Sequence, residues 1–202
     1  MSVDTIVSTF PAVFHSGFIH VSVQKEVDTT VSTTAPYRSS RRNGKVWLMA
    51  EAKSLYEAVG RGDGLLQLAR AWHERVMQDE IVSHAFSHGF HPQHTERLAA
   101  YFEEALGGPA AYSDNYGDET AVVRMHSGNG IHEEMDQRAI DCFDQALIDT
   151  GLGRDEQLRT TLHDYFASAV AGAMARYPRS PDDVPDGLQI PKWSWQGPVA
   201  DK

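Results

Sequence analysis

From about residue 53 to residue 177 the apolar positions recur at steps of three and four, the spacing of helices that bury one face. Lys53-Ser-Leu-Tyr-Glu-Ala-Val-Gly60 predicts a short helix ended by glycine, which takes a left-handed cap without strain. Asp63-Gly-Leu-Leu opens a longer helix with the stripe Leu65, Ala69, Trp72 and Val76, and His73 lies beside Trp72. Gly89 and Pro92 turn residues 83–92 into a corner, and Pro92 suits the first turn of the next helix. That helix carries His94, Leu98, Tyr101, Phe102 and Ala105 on one stripe before Gly107-Gly108-Pro109 stops it. Glycines crowd the stretch 107–130, where one short helical turn is expected, at about 122–126. Two long helices follow, at about 131–149 and 155–177. The first turns Met135, Ala139, Phe143, Ala146 and Leu147 inward; the second does so with Leu158, Leu162, Tyr165, Phe166, Ala169, Val170 and Met174. The prolines of 181–195 exclude a helix there, and Trp193 and Trp195 are expected to dock on the domain.

Residues 1–48 have another texture. They are rich in Ser, Thr and Val without helical period, and 29–44 reads as a linker. They are expected to form a poorly ordered N-terminal extension, the alternative being a short β-hairpin suggested by Phe18-Ile-His-Val-Ser-Val23. They lack the charged start, apolar block and cleavage site of a secretion signal. The organisation expected is therefore an extension over 1–48, a helical domain over 49–178 and a Pro/Trp-containing tail over 179–202.

Charge narrows the partners. The chain of 202 residues has formal charge −10. The extension departs from this, with five basic residues against three acidic. An acidic domain makes nucleic acid and anionic membranes unsuitable partners. No apolar run approaches the ~20 residues of a membrane helix. The single cysteine, Cys142, rules out an internal disulfide and suits a cytoplasmic protein.

Histidine placement is the main chemical signal. Imidazole is only half apolar, so His73 and His94 on buried stripes need partners. Each alone reads as a core histidine satisfied within the fold. Two on neighbouring helices, with His126 and several aromatics, point to a shared ligand pocket. His126 precedes Gly128 and Gly130, which allow close backbone approach to a flat ligand. It is the candidate proximal ligand of a haem iron. Other metal chemistry is weaker. His132-Glu-Glu-Met lacks the second histidine of a zinc protease motif. His84, His88 and His91 have helical metal-site spacing, but Gly89 and Pro92 break the helix they would need. Cys142 falls mid-helix and reads as a small buried hydrophobe. There is no dinucleotide fingerprint, phosphate loop or nucleophile elbow.

Residues 54–177 resemble the truncated haemoglobins, the group II branch best. The resemblance rests on Ser54-Leu-Tyr-Glu-Ala-Val-Gly60, Val76-Met-Gln-Asp-Glu-Ile-Val82, Glu96-Arg97-Leu98, Gly107-Gly-Pro-Ala-Ala-Tyr112-Ser113, Arg124-Met-His126 and Leu162-His-Asp-Tyr165-Phe166. It implies an all-α truncated globin fold, a two-over-two helical sandwich around haem b. It makes His126 the iron ligand and places His94 and His73 on the distal, ligand-binding side. Phe86 would wedge against the haem, Leu98 and Tyr101 would line the distal face, and Arg97 would reach a propionate; Phe102, on the same stripe, is a further candidate for holding the cofactor. Ala139 stands where group II relatives usually carry a tryptophan that hydrogen-bonds the bound gas.

The function implied is reversible binding of a diatomic gas, O₂ above CO or NO, with oxygen transport as the associated role. One alternative is a six-coordinate haem in which His94 or His73 also binds iron, for NO, peroxide or electron-transfer chemistry. Catalysis of that kind would require a separate reductase, since no flavin or nicotinamide domain is encoded. The rival from another class is a haem-free helical interaction module.

Overall fold

The computed structural model describes residues 53–130 and 132–200. The expectations for the extension fall outside the described residues. Ser54 caps α1 (Leu55–Ala58): its hydroxyl accepts from Glu57 N while Glu57 Oε2 accepts from Ser54 N, a reciprocal capping box. Gly60, at φ 88°, then turns the chain into α2 (Arg61–Gln78). The turn is tight: a Cβ on Gly64 would lie 1.8 Å from Val59 O, so only glycine fits there. Arg61 itself adopts φ 60°, a backbone conformation that glycine takes more readily.

Leu65, Leu68, Ala69, Trp72 and Val76 form the buried face of α2. A 3-10 turn (Val82–Phe86) leads through the corner to α3 (His94–Ala105), whose N-terminus lies two residues beyond Pro92. The next two helices are α4 (Ala111–Asn115) and α5 (Glu119–His126). Then come α6 (Glu133–Asp149) and α7 (Glu156–Ser168). α7 does not continue regularly to residue 177. It loosens into a π-helical segment (Ala169–Met174), a wider coil often found beside functional sites.

α2 packs on both α3 and α6, and α6 packs on α7. The core joins these layers through rings. Phe143 and Phe166 stack at 4.1 Å between centroids, and Phe102 meets Phe143, Tyr165 and Phe166 edge-on. Trp72 touches Phe166 and donates its indole N–H to Ala139 O at 3.1 Å, which ties α2 to α6.

The C-terminal segment is ordered without being helical. β1 (Trp193–Ser194) and β2 (Gly197–Pro198) form a minimal antiparallel pair. Trp193 packs on Tyr165, and Trp195 donates to Lys53 O at 2.7 Å. No helix among the described residues is long and apolar enough to cross a membrane.

Candidate functional site

α3, α5, α6, α7 and the π segment surround one cavity, which holds about 1190 Å³ of empty space with its open mouth included. His94, Arg97, Leu98, Tyr101 and Phe102 reach it from α3, and Phe86 from the 3-10 turn. His126 reaches it from α5. Seven of the eight residues expected at the site therefore share this wall. His73 is not on it. Its ring stands behind, 4.9 Å from His94, 5.3 Å from Phe86 and 4.6 Å from Phe90 between centroids.

Local sequence explains how His126 is presented. Asp118 Oδ1 accepts from Ala121 N and caps α5, and Glu119 in the first turn with Arg124 in the last suit the helix dipole. His126 Nδ1 donates to Val122 O at 2.7 Å. That bond fixes the tautomer and leaves the lone pair on Nε2, the arrangement of a metal-binding imidazole. Burial holds the His126 pKa below its ordinary value. The ring nevertheless keeps accessible surface, because one side of it faces the cavity.

α5 is held from outside by the C-terminal segment. Arg124 pairs with Asp186 at 2.8 Å and donates to Val184 O at 3.1 Å. Thr120 donates to Pro185 O and accepts from Leu188 N. Past the helix, Gly128 N and Gly130 N donate to Tyr177 O and Pro178 O. Gly128, at φ 83°, lies so close to Pro181 that a Cβ there would come within 2.7 Å of it.

His94 is 4% exposed. Burial lowers its pKa to about 3, with His73 and His126 adding to the effect. Burial also depresses His73. These imidazoles are therefore neutral near neutral pH. Arg97 brings positive charge to the wall. Its guanidinium lies 5.1 Å over the Tyr116 ring, and its Nε is buried with no hydrogen-bond partner among the described residues.

Two buried acids lie near this interior, one of them on the cavity wall. Glu119 accepts from Tyr101 OH at 2.8 Å, and burial raises its pKa to about 7. Asp136 lies on the cavity wall, with its pKa raised to about 8 by burial and by Glu133. Sequence reasoning had not singled out either acid, nor Tyr165 as a wall residue. Asp136 carried a readable signal: it falls in register with Ala139, Ile140 and Phe143 on the buried face of α6. Of the histidines read as corner or surface residues, His84 and His88 are exposed, whereas His91 is half-buried, lines the cavity and accepts from Gln93 N. No three metal-binding side chains converge among the described residues.

The profile of the bacterial-like globin family matches residues 54–172. Among solved structures, the chain is similar to the group II truncated haemoglobin of Bacillus anthracis. That match has 18% identity and TM-score 0.53, and covers 63% of this chain and 95% of that one. The truncated oxygen-avid haemoglobin of Bacillus subtilis matches at 21% identity and TM-score 0.52, covering 61% and 100%. A thermostable haemoglobin from the actinobacterium Thermobifida fusca matches at 27% identity and TM-score 0.51, covering 62% and 99%. No curated protein matches. The all-α truncated globin fold expected from the sequence is the fold found.

Proposed function

The chain belongs to the bacterial-like globin family, and from that premise we propose that it holds haem b through His126 and reversibly binds a diatomic gas, O₂ first among them. The observation that carries the reading is a single apolar-walled cavity containing both His94 and His126. Two further features support it. His94 and His126 are neutral, the form that binds metal. Arg97, with its buried Nε lacking a partner in the described chain, suits a propionate.

Haem bound here would supply an iron that bonds the gas. The chain's own residues would do the rest. His126 Nε2 would hold the metal, while the bond from Nδ1 to Val122 O keeps the ring oriented and strengthens it as a ligand. His94, as a neutral imidazole, can donate an N–H hydrogen bond to the polarised outer atom of the gas. Phe86 and Phe102, both buried, exclude water from the wall. With Ala139 in place of a larger side chain, that part of the cavity is roomier.

A second reading gives the sixth iron position to His94, and its buried, neutral state favours this. One experiment tests both. Reduced protein reconstituted with haem is expected to show one broad visible band that sharpens and shifts with CO. Sharp split bands before CO is added select the six-coordinate reading. His126→Ala is expected to lose the Soret band or show weak, disordered haem. Protein that stays colourless with added haemin, or an unchanged His126→Ala spectrum, overturns the proposal.

A further inference from the structure

Asp136 presents a physical problem that the reading above leaves open. Its side chain is 9% exposed and lines the cavity, and its Oδ1 is buried without a hydrogen-bond partner among the described residues. Burying a carboxyl without a partner is costly, and an ionised one far more so. Glu119, the other interior acid, has its partner in Tyr101 OH. Asp136 opens instead onto the space assigned to the haem.

Resting on that assignment, we propose that Asp136 is the redox-linked proton site of the cavity, protonated while the iron is ferrous and ionised once it is ferric. Oxidation adds one positive charge to a low-dielectric interior, where charges interact strongly. Loss of the Asp136 proton adds one negative charge, and the cavity keeps its net charge. The balance is complete: the electron passes to a one-electron acceptor, and the proton passes from the carboxyl to water. Reduction by a one-electron donor runs both transfers backwards.

Glu119, whose pKa burial raises to about 7, does not line the cavity and accepts from Tyr101 OH. His91 lines the wall and accepts from Gln93 N at Nδ1, and Asp136 is the acid on that wall. His94 and His126 are held neutral by burial. Tyr101, Tyr112 and Tyr165 have phenol pKa values raised above their ordinary range, so their protons stay on. Arg97 is a permanent cation. From the end of α2, Asp79 is paired with Arg138 at 2.8 Å. On its own helix, Glu133 adds a like charge that favours the protonated acid. The carboxyl, with a pKa raised to about 8, is poised to titrate near neutral pH.

The test is the midpoint potential of the haem-loaded full chain, measured by spectroelectrochemistry from about pH 6 to about pH 9. In the wild type the ferric form should gain up to tenfold in equilibrium per pH unit, about 59 mV for one electron. Asp136→Asn should flatten this slope and leave the Soret band in place, and Asp136→Glu should restore it over a shifted window. The redox difference infrared spectrum of the wild type should show a protonated carboxyl band disappearing on oxidation. A slope that survives in Asp136→Asn, or no carboxyl band in the wild type, overturns the proposal. If Asp136→Asn does not fold, the infrared measurement and Asp136→Glu still decide. Protein that takes up no haem overturns the reading beneath it instead, so the two failures are distinguishable.

Discussion

The two histidine-bearing helices of the cavity are held in opposite ways. α3 sits in a nest of rings, in which His94 touches Trp72, His73, Phe86 and Phe90 and Phe102 meets three further aromatics. α5 is braced by polar bonds to a segment about sixty residues further on, through Arg124, Thr120, Gly128 and Gly130. Dispersion and burial are non-directional and tolerate small shifts. Hydrogen bonds fix direction and angle. The helix that presents the proposed metal ligand is thus held by the more directional kind of contact.

Breaking each side separately sharpens the contrast. On the ring side, Phe102→Ala should cost about 3–5 kcal/mol of stability, read by denaturant unfolding. On the braced side, Thr120→Val removes a buried hydroxyl and strands Pro185 O and Leu188 N, at about 1–3 kcal/mol. The smaller of these two losses should have the larger spectroscopic effect. Thr120→Val should shift the iron–histidine stretching frequency of reduced, haem-loaded protein, and Phe102→Ala should leave it nearly unmoved. The reverse pattern would dissolve the distinction.

Acidity should act on the two sides together. His94 refuses in the fold a proton that the unfolded chain accepts, so it destabilises the apoprotein as pH falls from about 6.5 towards 3. Asp136 and Glu119 hold protons in the fold that the unfolded chain releases. Their contribution is fully present below about pH 4 and fades as pH rises towards 7 to 8. Unfolding titrations of apoprotein should therefore give a steeper acid limb in the wild type than in His94→Leu. The smallest effect expected is kinetic: His94→Leu should speed O₂ release roughly fivefold through loss of one hydrogen bond of about 1 kcal/mol. Unchanged release would remove His94 from the gas-binding role.

The ring side was legible in the sequence because burial leaves a period. The stripes of α2, α3, α6 and α7 each repeat at three and four, and they carry His94, Phe102, Phe143 and Phe166. The braced side leaves no such trace. Arg124 and Asp186 are 62 residues apart, and nothing in either neighbourhood announces the other. α5 begins at Glu119 rather than near residue 122, because Asp118 caps it among glycines that read as breakers. The π segment escaped too, since Ala169, Val170 and Met174 satisfy an α-helical stripe equally well. Of the eight residues expected at the site, seven line the cavity, while Asp136, on the buried face of α6, was not among them.

The bond from Trp195 to Lys53 joins residues 142 positions apart. It joins the segment just before the α1 helix to the last strands in one seam. Fraying that starts in the C-terminal segment must open this seam, so the strand pair and the start of α1 should exchange amide protons as one cooperative unit.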